Sequence, residues 1–168
     1  MKTHVLSVLV ENRSGTLSRV SGLFSRRGFN IDSLTVGVTE DPAISRMTIA
    51  VSGDDKVLEQ IVKQLSKLVD VIAIQNLEGT PFVKREITLV KVKADESTRA
   101  SIAQVASIFR GRVIDISPNT ITIEATGSVD KIEGMLQVLR PYGILEIART
   151  GLVALQRGCK FLSPGKKL

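Results

Sequence analysis

Asn12, Ser14, Gly15, Thr16 and Asn30 are the residues whose types and spacing offer chemistry, and that chemistry is the recognition of a small anion or zwitterion. The polar loop Glu11-Asn12-Arg13-Ser14-Gly15-Thr16-Leu17-Ser18 separates an apolar run (Val5, Leu6, Val8, Leu9, Val10) from Leu17, Val20, Leu23 and Phe24 at helical spacing. A loop at such a junction presents unpaired backbone N–H groups at the positive end of a helix dipole, which suits a carboxylate or phosphate. Asn12 adds a side-chain acceptor and donor at the same end. The alternative is a capped turn, with Ser14 as N-cap and Gly15 for close backbone approach.

Behind the helix comes Arg26-Arg27-Gly28, cations at its negative end with glycine at the expected C′ position. Phe29-Asn30-Ile31-Asp32-Ser33-Leu34 then opens a second strand. In a βαββαβ unit, the loop after strand one and the start of strand two are expected to lie close, so that Asn12 and Asn30 converge on one ligand. Leu17, Ile31 and Leu34 are the expected apolar wall for its side chain.

Acid–base or nucleophilic catalysis finds little material. His4 is the single histidine and is expected at the surface or a strand edge, and no nucleophile-elbow phrase occurs. Neither a Walker A nor a dinucleotide glycine fingerprint is present. Asp54-Asp55 and Asp95-Glu96 stand at helix starts, where capping accounts for them. Cys159 is alone, which excludes an internal disulfide and a cysteine-cluster metal site.

The elements that must position these residues fall into two copies of one pattern. The first reads strand 4–10, helix 15–27, strand 31–38, strand 45–52, helix 55–67 and strand 70–77, with Asp54 or Asp55 capping the second helix. The second reads strand 85–93, helix 98–109, strand 112–117, strand 120–126, helix 129–140 and strand 144–149. The fold class is therefore α+β, two ferredoxin-like βαββαβ domains in tandem. The boundaries are a domain over 1–78, a linker at 79–83, a domain over 84–158 and a tail at 159–168. Shifted by 83 residues, Gly28, Ile31 and Asp32 align with Gly111, Ile114 and Asp115, and Ser14 and Ser18 with Ser97 and Ser101. At that shift Asn12 becomes Asp95, Gly15 becomes Thr98 and Asn30 becomes Val113, so only the first copy keeps a ligand-competent set.

The ordered phrases Leu6 through Val20, Gly22 through Ile31, Ser33-Leu34-Thr35-Val36, Ser45 through Ile49, Lys67 through Val71, Arg85-Glu86-Ile87 and Phe109-Arg110-Gly111 resemble the regulatory (small) subunit family of acetolactate synthase, also called acetohydroxyacid synthase. The likeness runs nearly to Gly158. It implies that the first copy is an ACT domain binding valine, with Asn12, Gly15 and Asn30 at the family's valine-binding positions. It also implies ACT-domain pairing into a homodimer and feedback inhibition and activation of a catalytic large subunit in branched-chain amino-acid biosynthesis. Thiamine diphosphate, magnesium and FAD are expected on that partner and none on this chain. The residues alone leave valine, leucine and isoleucine open as effector.

Composition bears on the rival reading. The formal charge of +6 and the βαββαβ order also fit an RNA-binding ferredoxin-like protein. Such modules stack bases on aromatics of central strands, whereas the third strand here, Ser45-Arg46-Met47-Thr48-Ile49-Ala50-Val51, has none. The positive charge is scattered apart from Arg26-Arg27, Lys84-Arg85 and Lys166-Lys167, so no nucleic-acid partner is expected. No signal-like segment and no run of membrane-spanning length is visible, and the expected location is cytoplasmic without membrane contact.

Overall fold

Alternating apolar residues on the first strand set the layer order of the molecule. In the computed structural model, which describes residues 2–165, Leu6, Val8 and Val10 of β1 (Lys2–Glu11) face one side and are buried. They pack against Val20 and Phe24 of α1 (Thr16–Arg27) and Ile61 and Leu65 of α2 (Asp55–Leu65). Burying each such side chain contributes about 1.5–3 kcal/mol. With β2 (Ser33–Val38), β3 (Ile44–Gly53) and β4 (Val71–Asn76) the sheet has the order β2-β3-β1-β4. Asp54 caps α2, its carboxylate accepting from the Val57 N–H at 2.9 Å. His4, expected at the surface or a strand edge, is instead buried on an inner strand, its Nε2 3.3 Å from the Gly53 carbonyl oxygen.

The second unit repeats the plan with β5 (Phe82–Lys93), α3 (Arg99–Ile108), β6 (Arg112–Ser117), β7 (Thr120–Gly127), α4 (Val129–Leu139) and β8 (Ile144–Arg149), in the order β6-β7-β5-β8. A 3-10 turn, Arg140–Tyr142, follows α4 where Pro141 ends regular helix. The core joins Val90 and Val92 to Ile102, Ile121, Ile123, Ile132 and Met135.

The two compact units are Met1–Val83 with Leu152–Leu168, and Lys84–Gly151. The chain therefore returns to the first unit at Leu152, seven residues before the sequence boundary of 158/159. The returning segment contains a strand absent from the sequence reading, β9 (Val153–Gln156). It lies on the helix-free side of the first sheet. The Leu152 N–H donates to Ser33 Oγ at 2.8 Å, Gln75 Nε2 donates to Gln156 Oε1 at 2.5 Å, and Leu162 packs with Leu9 and Ala73. Apolar burial is the physical reason the segment is not a free tail: Leu152, Ala154 and Leu162 are all buried. Phe82 and Val83, expected in a linker, are strand residues, and Lys166-Lys167 lie outside the described residues.

The backbone also corrects the correspondence between the copies. The Asn12 N–H donates to Ala43 O and the Ala94 N–H to Asn119 O; Thr16 N–H bonds Arg13 O and Thr98 N–H bonds Asp95 O; Phe29 N–H bonds Phe24 O and Gly111 N–H bonds Ala106 O. Each pair of donors is 82 residues apart, not 83. The same shift relates the β-bulge at Leu9/Val10 to the one at Lys91/Val92. Asn12 thus corresponds to Ala94, Arg13 to Asp95 and Gly15 to Ser97. Asn30, Ile31 and Asp32 have no counterparts, because β6 starts one residue after Gly111 whereas β2 starts four after Phe29.

Candidate functional site

The polar turn after β1 is held from both sides by backbone. The Glu11 N–H donates to Asp70 O at 2.9 Å and the Asn12 N–H to Ala43 O at 2.7 Å. The Asn12 side chain, exposed, donates through Nδ2 to Pro42 O at 2.9 Å. The helix cap differs from the expectation: the N-cap is Gly15, at φ 84°, ψ −10°, and no side chain caps the helix. Ser14 stands one residue before, exposed. A left-handed backbone favours glycine, and the reason for it here is also spatial, since a Cβ on Gly15 would stand 2.9 Å from Arg19 Nη1.

This cap leaves donors open. Among the described residues, the N–H groups of Ser14, Gly15 and Leu17 take no backbone partner, while Thr16 N–H bonds Arg13 O at 3.3 Å. Thr16 is buried and its hydroxyl reaches Asp70 Oδ1 at 3.5 Å. Leu17 is 46% exposed on the first turn.

Beside the turn lies a pair to which the sequence reading gave no role. Arg19 donates through Nε to Asp70 Oδ2 at 2.6 Å and through Nη2 to Asp70 Oδ1 at 2.8 Å. The Arg19 hydrogen bonds hold the Asp70 carboxyl below the usual carboxylate range, and Asp70 in turn raises Arg19. The available signal was an arginine four residues after Gly15, one helical turn on and over the same end of the helix.

Asn30 is elsewhere. β1 and β2 are both antiparallel to β3, hence parallel to each other, so the end of one and the start of the other lie at opposite ends of the sheet. Asn12 sits by Ala43, whereas Asn30 donates to Asp32 Oδ1 at 2.9 Å and Asp32 accepts from Ser52 Oγ at 2.6 Å. From 43 to 52 along β3 the distance is about 30 Å. The expected convergence of Asn12 and Asn30 therefore does not occur within one chain. Asn30 instead lines an open groove of about 850 Å³ with Phe29, Asp32, Ser52 and Asp54. Ile31 and Leu34 are half-buried against the first core.

The second unit handles the equivalent turn differently. Asp95 Oδ1 accepts from the Ser97 N–H at 2.9 Å, the Thr98 N–H at 3.0 Å and the Ser97 hydroxyl at 2.6 Å. The Ser97 hydroxyl and the Thr98 N–H keep the Asp95 carboxyl below its ordinary range. An internal carboxylate thus occupies the donor equivalent to the open Gly15 N–H. In the first unit its place belongs to Arg13, which pairs with Glu11 at 3.0 Å.

The helix-free face of the first sheet, which an RNA-recognition module would use, carries Val5, Ser7, Leu9, Thr48 and Ala50, all buried and none aromatic. Among the described residues no cluster of three or more His, Cys, Asp or Glu is placed to hold a metal, and no helix is long and apolar enough to cross a membrane.

Comparison with known proteins agrees with this geometry. Residues 6–73 match the family model described as the AHAS small subunit-like ACT domain, and residues 85–158 match that of the small subunit of acetolactate synthase. A probable acetolactate synthase small subunit of Methanothermobacter thermautotrophicus is 55% identical over 94% of this chain and 95% of its own length. The acetolactate synthase small subunit of Mycolicibacterium smegmatis is 54% identical over 98% and 96%. The crystal structure of the acetolactate synthase small subunit from Thermotoga maritima superposes with a TM-score of 0.88 at 44% identity, covering 95% of this chain and all of that one.

Proposed function

This chain belongs to the acetolactate synthase small-subunit family, and on that premise we propose that it is the non-catalytic regulatory subunit of the holoenzyme. In this reading it binds L-valine through its first unit, activates the catalytic large subunit and imposes feedback inhibition on branched-chain amino-acid biosynthesis. The observation that carries it is the contrast between the two turns. The second unit satisfies its turn with the Asp95 carboxylate, and the first leaves the same donor open beside a cation. In the second unit the N–H groups of this turn donate to a carboxylate, Ser97 at 2.9 Å and Thr98 at 3.0 Å, which supports a carboxylate as the ligand of the first. The effector's carboxylate takes the N–H groups of Ser14 and Gly15, with Asn12 Oδ1 toward the ammonium and Leu17 against the side chain. Thr16 supports the turn from below.

The separation of Asn12 from Asn30 points to two chains. β2 is an edge strand, and Val36 and Val38 on its helix side are 42% and 59% exposed. Antiparallel pairing of β2 edges about a two-fold axis covers these residues and sets the Gly15 end of one copy against the Asn30 end of the other. Asn30, with Ile31 and Leu34 behind it, then closes the pocket from the partner copy. An effector bound across such an interface biases the pairing geometry. It inhibits only if the two states of the assembly differ in affinity for it, with a coupling of about 1–3 kcal/mol. Thiamine diphosphate, magnesium and FAD belong to the large subunit in this reading, and the complex is cytoplasmic.

Reconstitution with the acetolactate synthase large subunit tests the proposal. Added chain is expected to raise acetolactate formation, and L-valine to lower it saturably, by about fivefold or more, while D-valine does nothing. No change in activity at any subunit ratio, or indifference to valine, leucine and isoleucine alike, contradicts it.

A further inference from the structure

We propose that Arg19 is the cationic receptor for the effector's carboxylate and that Asp70 is its positioning residue; the inference rests on the amino-acid-binding reading above and adds the group that selects for a free carboxylate. Asp70 engages Nε and Nη2 and so fixes the plane of the guanidinium. That leaves Nη1, with both its protons, toward the turn, where it stands 2.9 Å from the position a Gly15 Cβ would take. The Ser14 and Gly15 N–H groups belong to this same turn and take no backbone partner. Nearly half of the Arg19 side chain is in water, so a solute reaches it, while Asp70 beneath is buried.

The fold does not require this pair. The second unit builds the same junction, with the Lys93 N–H on Gly143 O in place of the Glu11 N–H on Asp70 O, both at 2.9 Å. There the residue equivalent to Arg19 is Ser101, and Gly143 takes the place of Asp70. The second unit's turn has an arginine of its own, Arg99, but its Nη2 donates to the Pro118 carbonyl at 3.0 Å and not to a carboxylate at the junction. Among the described residues, a carboxylate-fixed guanidinium stands beside the turn only in the first unit, where the Ser14 and Gly15 N–H groups take no backbone partner.

The test uses the full-length chain and two ligands, L-valine and L-valinol, in which CH2OH replaces the carboxylate. Wild type is expected to prefer valine strongly. In Arg19→Gln/Asp70→Asn, which leaves no buried unpaired charge, that preference should shrink by about tenfold or more. Arg19→Lys, charged but without the fork, should fall between. Thermal unfolding of each variant checks that the fold persists. A purely structural role would weaken both ligands equally and leave the preference unchanged. That result, or undiminished valine affinity in the double variant, overturns the inference while the regulatory reading stands. Failure of wild type to bind L-valine removes the reading and the inference together.

Discussion

Gly15 carries two constraints at once, a left-handed backbone and a close guanidinium. Gly15→Asp adds strain of about 1–2 kcal/mol, which the unit tolerates, and places a carboxylate beside Arg19. Circular dichroism should report a native fold, and valine inhibition of the reconstituted enzyme should be lost. Arg13→Asp copies the second unit's solution, since Arg13 occupies the place of Asp95. It should fill the Gly15 N–H internally and weaken valine binding by at least about tenfold, the scale of a charged hydrogen bond, as read by calorimetry. The Asp70 carboxyl is held low by Arg19, so the stability this gives is present above the unfolded carboxylate pKa of about 4 and is lost as pH falls through the folded value. Asp70→Asn should therefore flatten the acid limb of a denaturation series while being less stable near neutrality. An unchanged acid limb would mean that the pair contributes nothing to folding.

At the scale of elements, both βαββαβ units were legible because their cores alternate cleanly on the strands and recur at helical spacing. Most boundaries lie within one or two residues of the expectation. The register between the copies was not legible, for an identifiable reason. Gly28 and Gly111 look like matching helix stops, yet the left-handed residue after α3 is Arg110, at φ 53°. Gly111 is glycine because a Cβ there would stand 2.9 Å from Glu124 O. One misassigned glycine moved the comparison by a residue and hid the equivalence of Arg13 with Asp95. The opposite placement of Asn12 and Asn30 follows from strand direction, which local sequence does not display. β2 is the edge strand on which the proposed pairing depends. If the proposed β2 pairing holds, wild type should sediment as a dimer and Val38→Lys, which places a charge on that exposed edge, as a monomer, with valine affinity falling in parallel. A variant that remains dimeric and binds valine normally would place the pairing surface elsewhere.

At the scale of the whole molecule, the chain closes on its first unit through its last described segment. The sequence reading left residues from 159 onward as an uninterpreted tail, because Phe161, Leu162 and Leu168 among Cys, Lys, Ser, Pro and Gly show no helical or strand periodicity. The structure buries Leu162 against Leu9 and Ala73. Leu162→Ala should cost about 2–3 kcal/mol in urea unfolding, where a free tail would give none, and should leave valine affinity intact. Two copies of one fold thus finish the same turn differently. One satisfies its own turn with Asp95, and the other leaves the Gly15 N–H without a backbone partner and is covered on its helix-free face by the chain's last described segment. The most direct measurement of this account is calorimetric titration of the full-length chain with L-valine and D-valine, alongside Gly15→Asp. Saturable, stereospecific binding of L-valine to wild type, absent in the variant, is the expected result. Equal heats from both enantiomers, or L-valine binding that survives Gly15→Asp, would contradict it.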